Sequence, residues 1–248
     1  MNVIVCAVTH RSGSTLLQRV LNARKKTLIW GQHDRCLKDF IHIYQKINGS
    51  QKKFDYQRQK YFTNNEDPNT SIANMTPGNS YLKDALHSSV KEFFETFYSE
   101  YNERHDVIGF KEVLYGKEEI TLFQEAFPDC KVVLLVRHPV DIWKSLLGKK
   151  WNPFTVESFS EIWNKNASDY MELAENNKNR ILVRYEDIIS KDKDTLTSIG
   201  QIGRLSMEEI NYVLNKKISS STKPISAQDE DKIKKLCGTV MKKLHYTP

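Results

Sequence analysis

The segment Thr9-His10-Arg11-Ser12-Gly13-Ser14-Thr15 has the composition of an anion-binding loop. It follows a β-branched run and precedes the apolar helical pattern Leu16, Leu17, Val20 and Leu21. A strand feeding such a loop into a helix gathers backbone N–H groups, hydroxyls and a helix N-terminus around one point, which attracts a phosphate-like anion. Gly-x-x-x-x-Gly-Lys-Ser/Thr cannot be drawn through these residues, which counts against a P-loop kinase using ATP. Ser12 to Thr15 suit a simple helix cap equally well. Farther on, Arg137 closes an apolar strand and Ser145 lies on the following helix. A guanidinium offers phosphate oxygens a planar fork, and a Ser on the first turns of that helix can reach the same group. Either residue alone also fits a local ion pair or a solvent-facing hydroxyl. His33 follows another strand and is the leading candidate for a general base. An imidazole with an unperturbed pKa of about 6.5 is largely neutral at pH 7 and can accept a proton. His10 and Glu112 are the alternative bases.

These groups need elements to position them. Val3 to Val8, Thr27 to Trp30, Val107 to Lys111, Lys131 to Val136 and Arg180 to Tyr185 read as strands. Val132 to Val136 is apolar without alternation, as in a central parallel strand covered on both faces. Helical patterns lie between the strands: residues 35–47, Tyr81 to Tyr101, Lys117 to Phe127, a segment carrying Ile142, Trp143, Leu146 and Leu147, and Glu157 to Asn176. On the second of these, Leu82, Leu86, Val90, Phe93, Phe94 and Phe97 form one broad face that is expected to be core. Residues 48–79 are rich in Gln, Asn, Lys, Ser, Thr and Pro and read as an irregular insertion or lid. The alternation of strands and helices predicts a single α/β domain with a central parallel sheet flanked by helices, similar to the P-loop nucleotide-binding class. Ligands then bind beyond the carboxyl ends of the strands, where Arg11 and His33 would share a crevice.

His10 to Leu17 resembles the 5′-phosphosulfate loop of the sulfotransferase superfamily, in the Arg-Ser-Gly-Ser-Thr form of the tyrosylprotein, carbohydrate and bacterial branches. Arg137 with Ser145 eight positions later is similar to that family's 3′-phosphate site. Val183-Arg184-Tyr185-Glu186-Asp187 resembles its late Arg-Tyr-Glu-Asp segment. The resemblance implies transfer of a sulfuryl group from 3′-phosphoadenosine 5′-phosphosulfate (PAPS) to an acceptor hydroxyl by in-line displacement, without a metal. It implies that Arg11 contacts the transferred group, that Ser12, Gly13, Ser14 and Thr15 hold the 5′-phosphate, and that Arg137 and Ser145 hold the 3′-phosphate. Tyr185 would help form the nucleotide pocket, and Lys111 would be a second cation near the sulfuryl group. In two branches a Glu near position 33 takes the acceptor's proton, whereas this chain has His there. The family's late Arg-Lys-Gly segment is absent, with Lys216, Lys217 and Lys223 as substitutes. A catalytically silent nucleotide-binding protein would retain both loops.

The formal charge of +6 over 248 residues favours anionic ligands, but the basic residues are scattered and no nucleic-acid recognition motif accompanies them. The four cysteines are too far apart for a metal pair or a secreted disulfide framework. No apolar run is long enough to span a membrane. A soluble cytoplasmic enzyme acting on a small molecule or saccharide is expected, with peptide tyrosines and amines open as further acceptors.

Overall fold

Apolar strands that lack alternation need cover on both faces and so occupy the middle of a sheet. In the computed structural model, which describes residues 1–175, 177–216 and 223–247, β1 (Val3–Ala7) holds this central position and is wholly buried. Around it lie β2 (Thr27–Trp30), β3 (Val107–Val113), β4 (Lys131–Val136) and β5 (Arg180–Arg184), in the parallel order β2-β3-β1-β4-β5. β3 continues past Lys111 to Val113, and Tyr185 opens a short helix instead of ending β5.

Successive side chains of a strand face opposite ways, and β1 divides the core accordingly. Ile4, Cys6 and Val8 enter one apolar layer with Phe110, Val132 and Leu134. Val3, Val5 and Ala7 enter the other with Val133, Leu135 and Val183. Helices α3 (Asn79–Phe97), α4 (Lys117–Ala126), α5 (Pro139–Leu146), α6 (Val156–Ala174) and α10 (Ala227–Lys243) cover the first layer. The second is covered by α1 (Ser14–Leu21), α8 (Lys193–Gly203) and α9 (Met207–Leu214). The chain is therefore a single α/β domain with a parallel sheet between helical layers. Among the described residues, no helix is long and apolar enough to cross a membrane.

Two expectations are corrected. The helix expected over residues 35–47 runs on as α2 (Leu37–Thr63), so residues 48–63 are helical and only the stretch from 64 to 78 lacks a helix. Apolar periodicity is weak there because α2 buries only Leu37, Gln51 and Gln57. On α3 only Val90 and Phe94 are buried, while Phe93 and Phe97 are 40% and 54% exposed. A narrow stripe of α3 meets the core, and the remaining aromatics form an outer cluster with Phe40.

Candidate active site

β1 and β4 are neighbours whose outgoing chains turn to opposite sides of the sheet, the arrangement that opens a crevice at the carboxyl edge of an α/β fold. There the loop after β1 meets Arg137, which follows β4, and the end of β3. A cleft of about 380 Å³ is lined by His10, Arg11, Gly13, Ser14, Thr15, Lys111, Arg137, Ser145 and Tyr185, together with Leu16, Arg19, Gln32, Val113 and Trp151.

The loop is built to leave its backbone donors available. Ser12 is fully buried and its hydroxyl donates to the Thr9 carbonyl at 2.8 Å, so this side chain closes the loop instead of facing the cleft. Arg11 and Gly13 adopt left-handed backbone conformations, with φ of 66° and 93°. No side-chain cap closes α1 at Gly13, which leaves the helix N-terminus toward the cleft and separates this loop from an ordinary capped start. A Cβ on Gly13 would stand 2.2 Å from Tyr185 Cδ2. Gly13→Ala is therefore expected to cost about 1–3 kcal/mol of stability through clash and backbone strain. Urea unfolding measures this, and an unchanged midpoint would show that Tyr185 yields freely.

Arg11 Nε donates to Ser145 Oγ at 2.9 Å, and an amino group of Arg137 donates to the Arg11 carbonyl at 3.0 Å. These bonds join sequence positions far apart into one cationic surface. The Arg137 guanidinium lies 4.3 Å from the Tyr185 ring centroid, and its buried Nε has no partner among the described residues. Lys111 lies in β3 level with Val5 of β1 and is 7% exposed, far from a surface lysine. Its Nζ donates to Gln32 Oε1 at 2.7 Å. Burial lowers its pKa, an effect partly opposed by the Glu112 carboxylate.

The site has histidines of two kinds. His10 is half-buried at the cleft wall, edge-on to Trp151 with ring centroids 5.3 Å apart. Burial first, then the charge of Arg35, lowers its pKa from 6.5, which favours the neutral imidazole, while Glu112 acts in the opposite sense. His33 is not in the cleft, contrary to the expectation that its strand end would place it there. Its side chain is 6% exposed, packed edge-on against Phe94 and Phe110, with each ring nitrogen 2.7 Å from a hydroxyl, of Tyr98 and of Tyr115. The cause is Glu112, whose buried carboxylate accepts from the backbone N–H groups of His33 at 3.0 Å, Arg35 at 3.1 Å and Val113 at 2.9 Å. That carboxylate turns the chain after β2 inward. It also accepts from Gln32 Nε2 at 3.2 Å, so Glu112 acts as a structural acceptor away from the cleft.

Gln32, which was not singled out in the sequence, bridges Lys111 and Glu112 and lines the cleft. Its signal was its place directly after Gly31 at the carboxyl end of β2. Of the late lysines, Lys216 reaches the Tyr212 hydroxyl at 2.7 Å on the surface, Lys223 does not line the cleft, and Lys217 lies outside the described residues. In the Arg-Tyr-Glu-Asp segment, Glu186 accepts from His138 N–H at 2.9 Å and from the Tyr246 hydroxyl at 2.8 Å, fastening the chain's end to the site.

Comparison with known proteins agrees with this architecture. The sulfotransferase domain of the Synechococcus PCC 7002 olefin synthase superposes with a TM-score of 0.57 at 18% identity, over 100% of this chain and 96% of that one. A sulfotransferase from Alicyclobacillus acidocaldarius gives 0.52 at 11% identity, over 100% and 96%. Mouse sulfotransferase SULT7A1, solved in complex with PAP, gives 0.51 at 11% identity, over 97% and 83%. At these identities the likeness is one of fold. No curated protein sequence matches the chain significantly. The model of the sulfotransferase family matches residues 4–209, from β1 into α9 and through every group that lines the cleft, and the chain belongs to that family.

Proposed function

We propose that the cleft binds PAPS and that the enzyme transfers its sulfuryl group to an acceptor hydroxyl. The observation that carries this reading is the joining of the two motifs, Arg11 to Ser145 and Arg137 to the Arg11 carbonyl, around one cavity. The residues fit a ligand with anionic groups at both ends. The uncapped N-terminus of α1, with Ser14 and Thr15, suits the 5′-phosphate. Arg137 and Ser145, which both line the cleft, suit the 3′-phosphate. Tyr185, stacked on Arg137, forms a wall of the same cleft. When bound, PAPS supplies an activated sulfuryl group whose bond to the phosphate oxygen can break.

The protein's own groups then have distinct tasks. His10, neutral at pH 7 and without a hydrogen bond to its ring among the described residues, takes the proton of the attacking hydroxyl. Arg11 and Lys111 face the negative charge that builds on the bridging oxygen as it leaves. Gln32 holds the Lys111 ammonium in place. Atoms balance without a redox partner: an oxygen–sulfur bond forms to the acceptor, one breaks to the phosphate, the proton goes to His10, and adenosine 3′,5′-bisphosphate departs. A kinase reading is less well supported, because no carboxylate that could hold Mg²⁺ is among the described residues lining the cleft.

Arg137→Ala and Ser145→Ala are each expected to weaken binding of adenosine 3′,5′-bisphosphate, Arg137→Ala by about tenfold or more. The double variant should lose less than the sum, since both groups serve one phosphate. Adenosine 5′-monophosphate, which lacks the 3′-phosphate, is the control. If both variants discriminate between these nucleotides as strongly as the parent does, the 3′-phosphate assignment fails.

A further inference from the structure

His10 lines a second cavity as well, of about 320 Å³, on the side away from α1. Its wall is apolar at Leu114, Phe154 and Ile162, and its charged groups are Arg35, Lys38 and Lys165 against Glu119. The cations are not equivalent. Lys165 Nζ is 2.8 Å from Asp169 and Lys38 Nζ is 3.9 Å from Glu119, so both have a carboxylate at hand. Arg35 is half-buried, and its guanidinium has no ion pair or hydrogen bond among the described residues.

The chain also holds Arg35 where it stands at some cost. Asp34 and Arg35 both have left-handed backbones, with φ of 56° and 60°, which non-glycine residues rarely adopt. The buried Glu112 carboxylate fixes this turn by accepting the Arg35 N–H at 3.1 Å. The same turn delivers the Arg35 charge close enough to His10 to depress its basicity. The unpaired guanidinium of a half-buried arginine beside an apolar wall is a recognition group for a carboxylate on an otherwise apolar molecule.

We propose that the second cavity is the acceptor site and that it selects a hydroxy acid, with the carboxylate on Arg35, the apolar body against Leu114, Phe154 and Ile162, and the hydroxyl presented at His10. This rests on the sulfuryl-transfer reading above and adds to it the class of acceptor.

The test uses straight-chain and hydroxyphenyl hydroxy acids, each paired with its methyl ester and with an alcohol of similar size carrying a phosphate monoester. The readout is the ratio of kcat/KM for acid over ester, with PAPS as donor. The full chain should favour the acid by about tenfold or more, as expected for loss of a charge-assisted contact. In Arg35→Gln the ratio should fall to near one, and Arg35→Lys should retain much of it. Calorimetry with adenosine 3′,5′-bisphosphate checks that each variant is folded with its nucleotide cleft intact. Equal use of acid and ester by the parent, or an unchanged ratio in Arg35→Gln, overturns the proposal. Preference for the phosphate monoester overturns the assignment to a carboxylate. Failure to sulfate any member of any set, with the bisphosphate still bound, overturns the transfer reading itself and this inference with it.

Discussion

Replacing Arg11 by Ala is expected to slow sulfuryl transfer by about 10²- to 10³-fold, while adenosine 3′,5′-bisphosphate binds within a few-fold of the parent. The reason is where Arg11 stands. Its carbonyl accepts from Arg137 and survives the substitution, so the 3′-phosphate site keeps its framework. What is lost is a guanidinium held against Ser145 at the mouth of the loop, where the proposed transfer builds charge on the departing bridging oxygen. A group that acts chiefly in the transition state changes kcat more than the affinity for the product nucleotide. Single-turnover rates and calorimetry on the same preparation measure both quantities. Equal losses in rate and in product affinity would assign Arg11 to simple nucleotide binding.

His10→Ala is expected to cost about 10²- to 10⁴-fold in turnover, the usual price of removing a positioned base, with nucleotide binding retained. Its pH dependence gives a second readout. Burial and the charge of Arg35 lower the His10 pKa from 6.5, so the neutral, proton-accepting form persists below that value. The acid limb of kcat/KM for the parent therefore lies below pH 6.5, with activity lost as pH falls through the folded pKa. That limb should vanish in His10→Ala. His33→Ala should behave differently. It removes hydrogen bonds to Tyr98 and Tyr115 within an aromatic cluster and should lower stability by about 1–3 kcal/mol, with turnover largely kept. Near-normal turnover in His10→Ala, joined to a hundredfold or greater loss in His33→Ala, would return the base to His33.

The difference between these two histidines marks the limit of the sequence. Strand β4 was legible because a central parallel strand must be apolar on both faces, and Val132 to Val136 shows this directly. The strand, loop and helix around Thr9 to Thr15 were legible because a β-branched run stops there and an apolar helical pattern follows, whereas Ser and Gly at that place fit a helix cap as well as an anion site. The direction of the His33 ring was not, since it depends on a carboxylate in β3, remote in sequence, that draws the His33 N–H inward. Gln32 and Arg35 were hidden for the same reason. Their meaning comes from Lys111, Glu112 and the second cavity, which are contacts of tertiary structure. The far half of α2 escaped notice because a helix that buries Gln51 and Gln57 has no apolar stripe to read. Phe93 and Phe97 misled in the opposite sense, as aromatic residues that stay largely exposed at the rim of the core, touching one another and the buried Phe94 and Tyr98.

The proposed occupant of the cleft is a nucleotide with phosphates at both the 3′ and 5′ positions. Calorimetric titration of the unmodified protein with adenosine 3′,5′-bisphosphate, adenosine 5′-monophosphate and ATP with Mg²⁺ tests it most directly. Arg137 and Ser145 should make the bisphosphate bind at least about tenfold more tightly than either of the others. Binding of ATP with Mg²⁺ as tight as or tighter than that of the bisphosphate would contradict it.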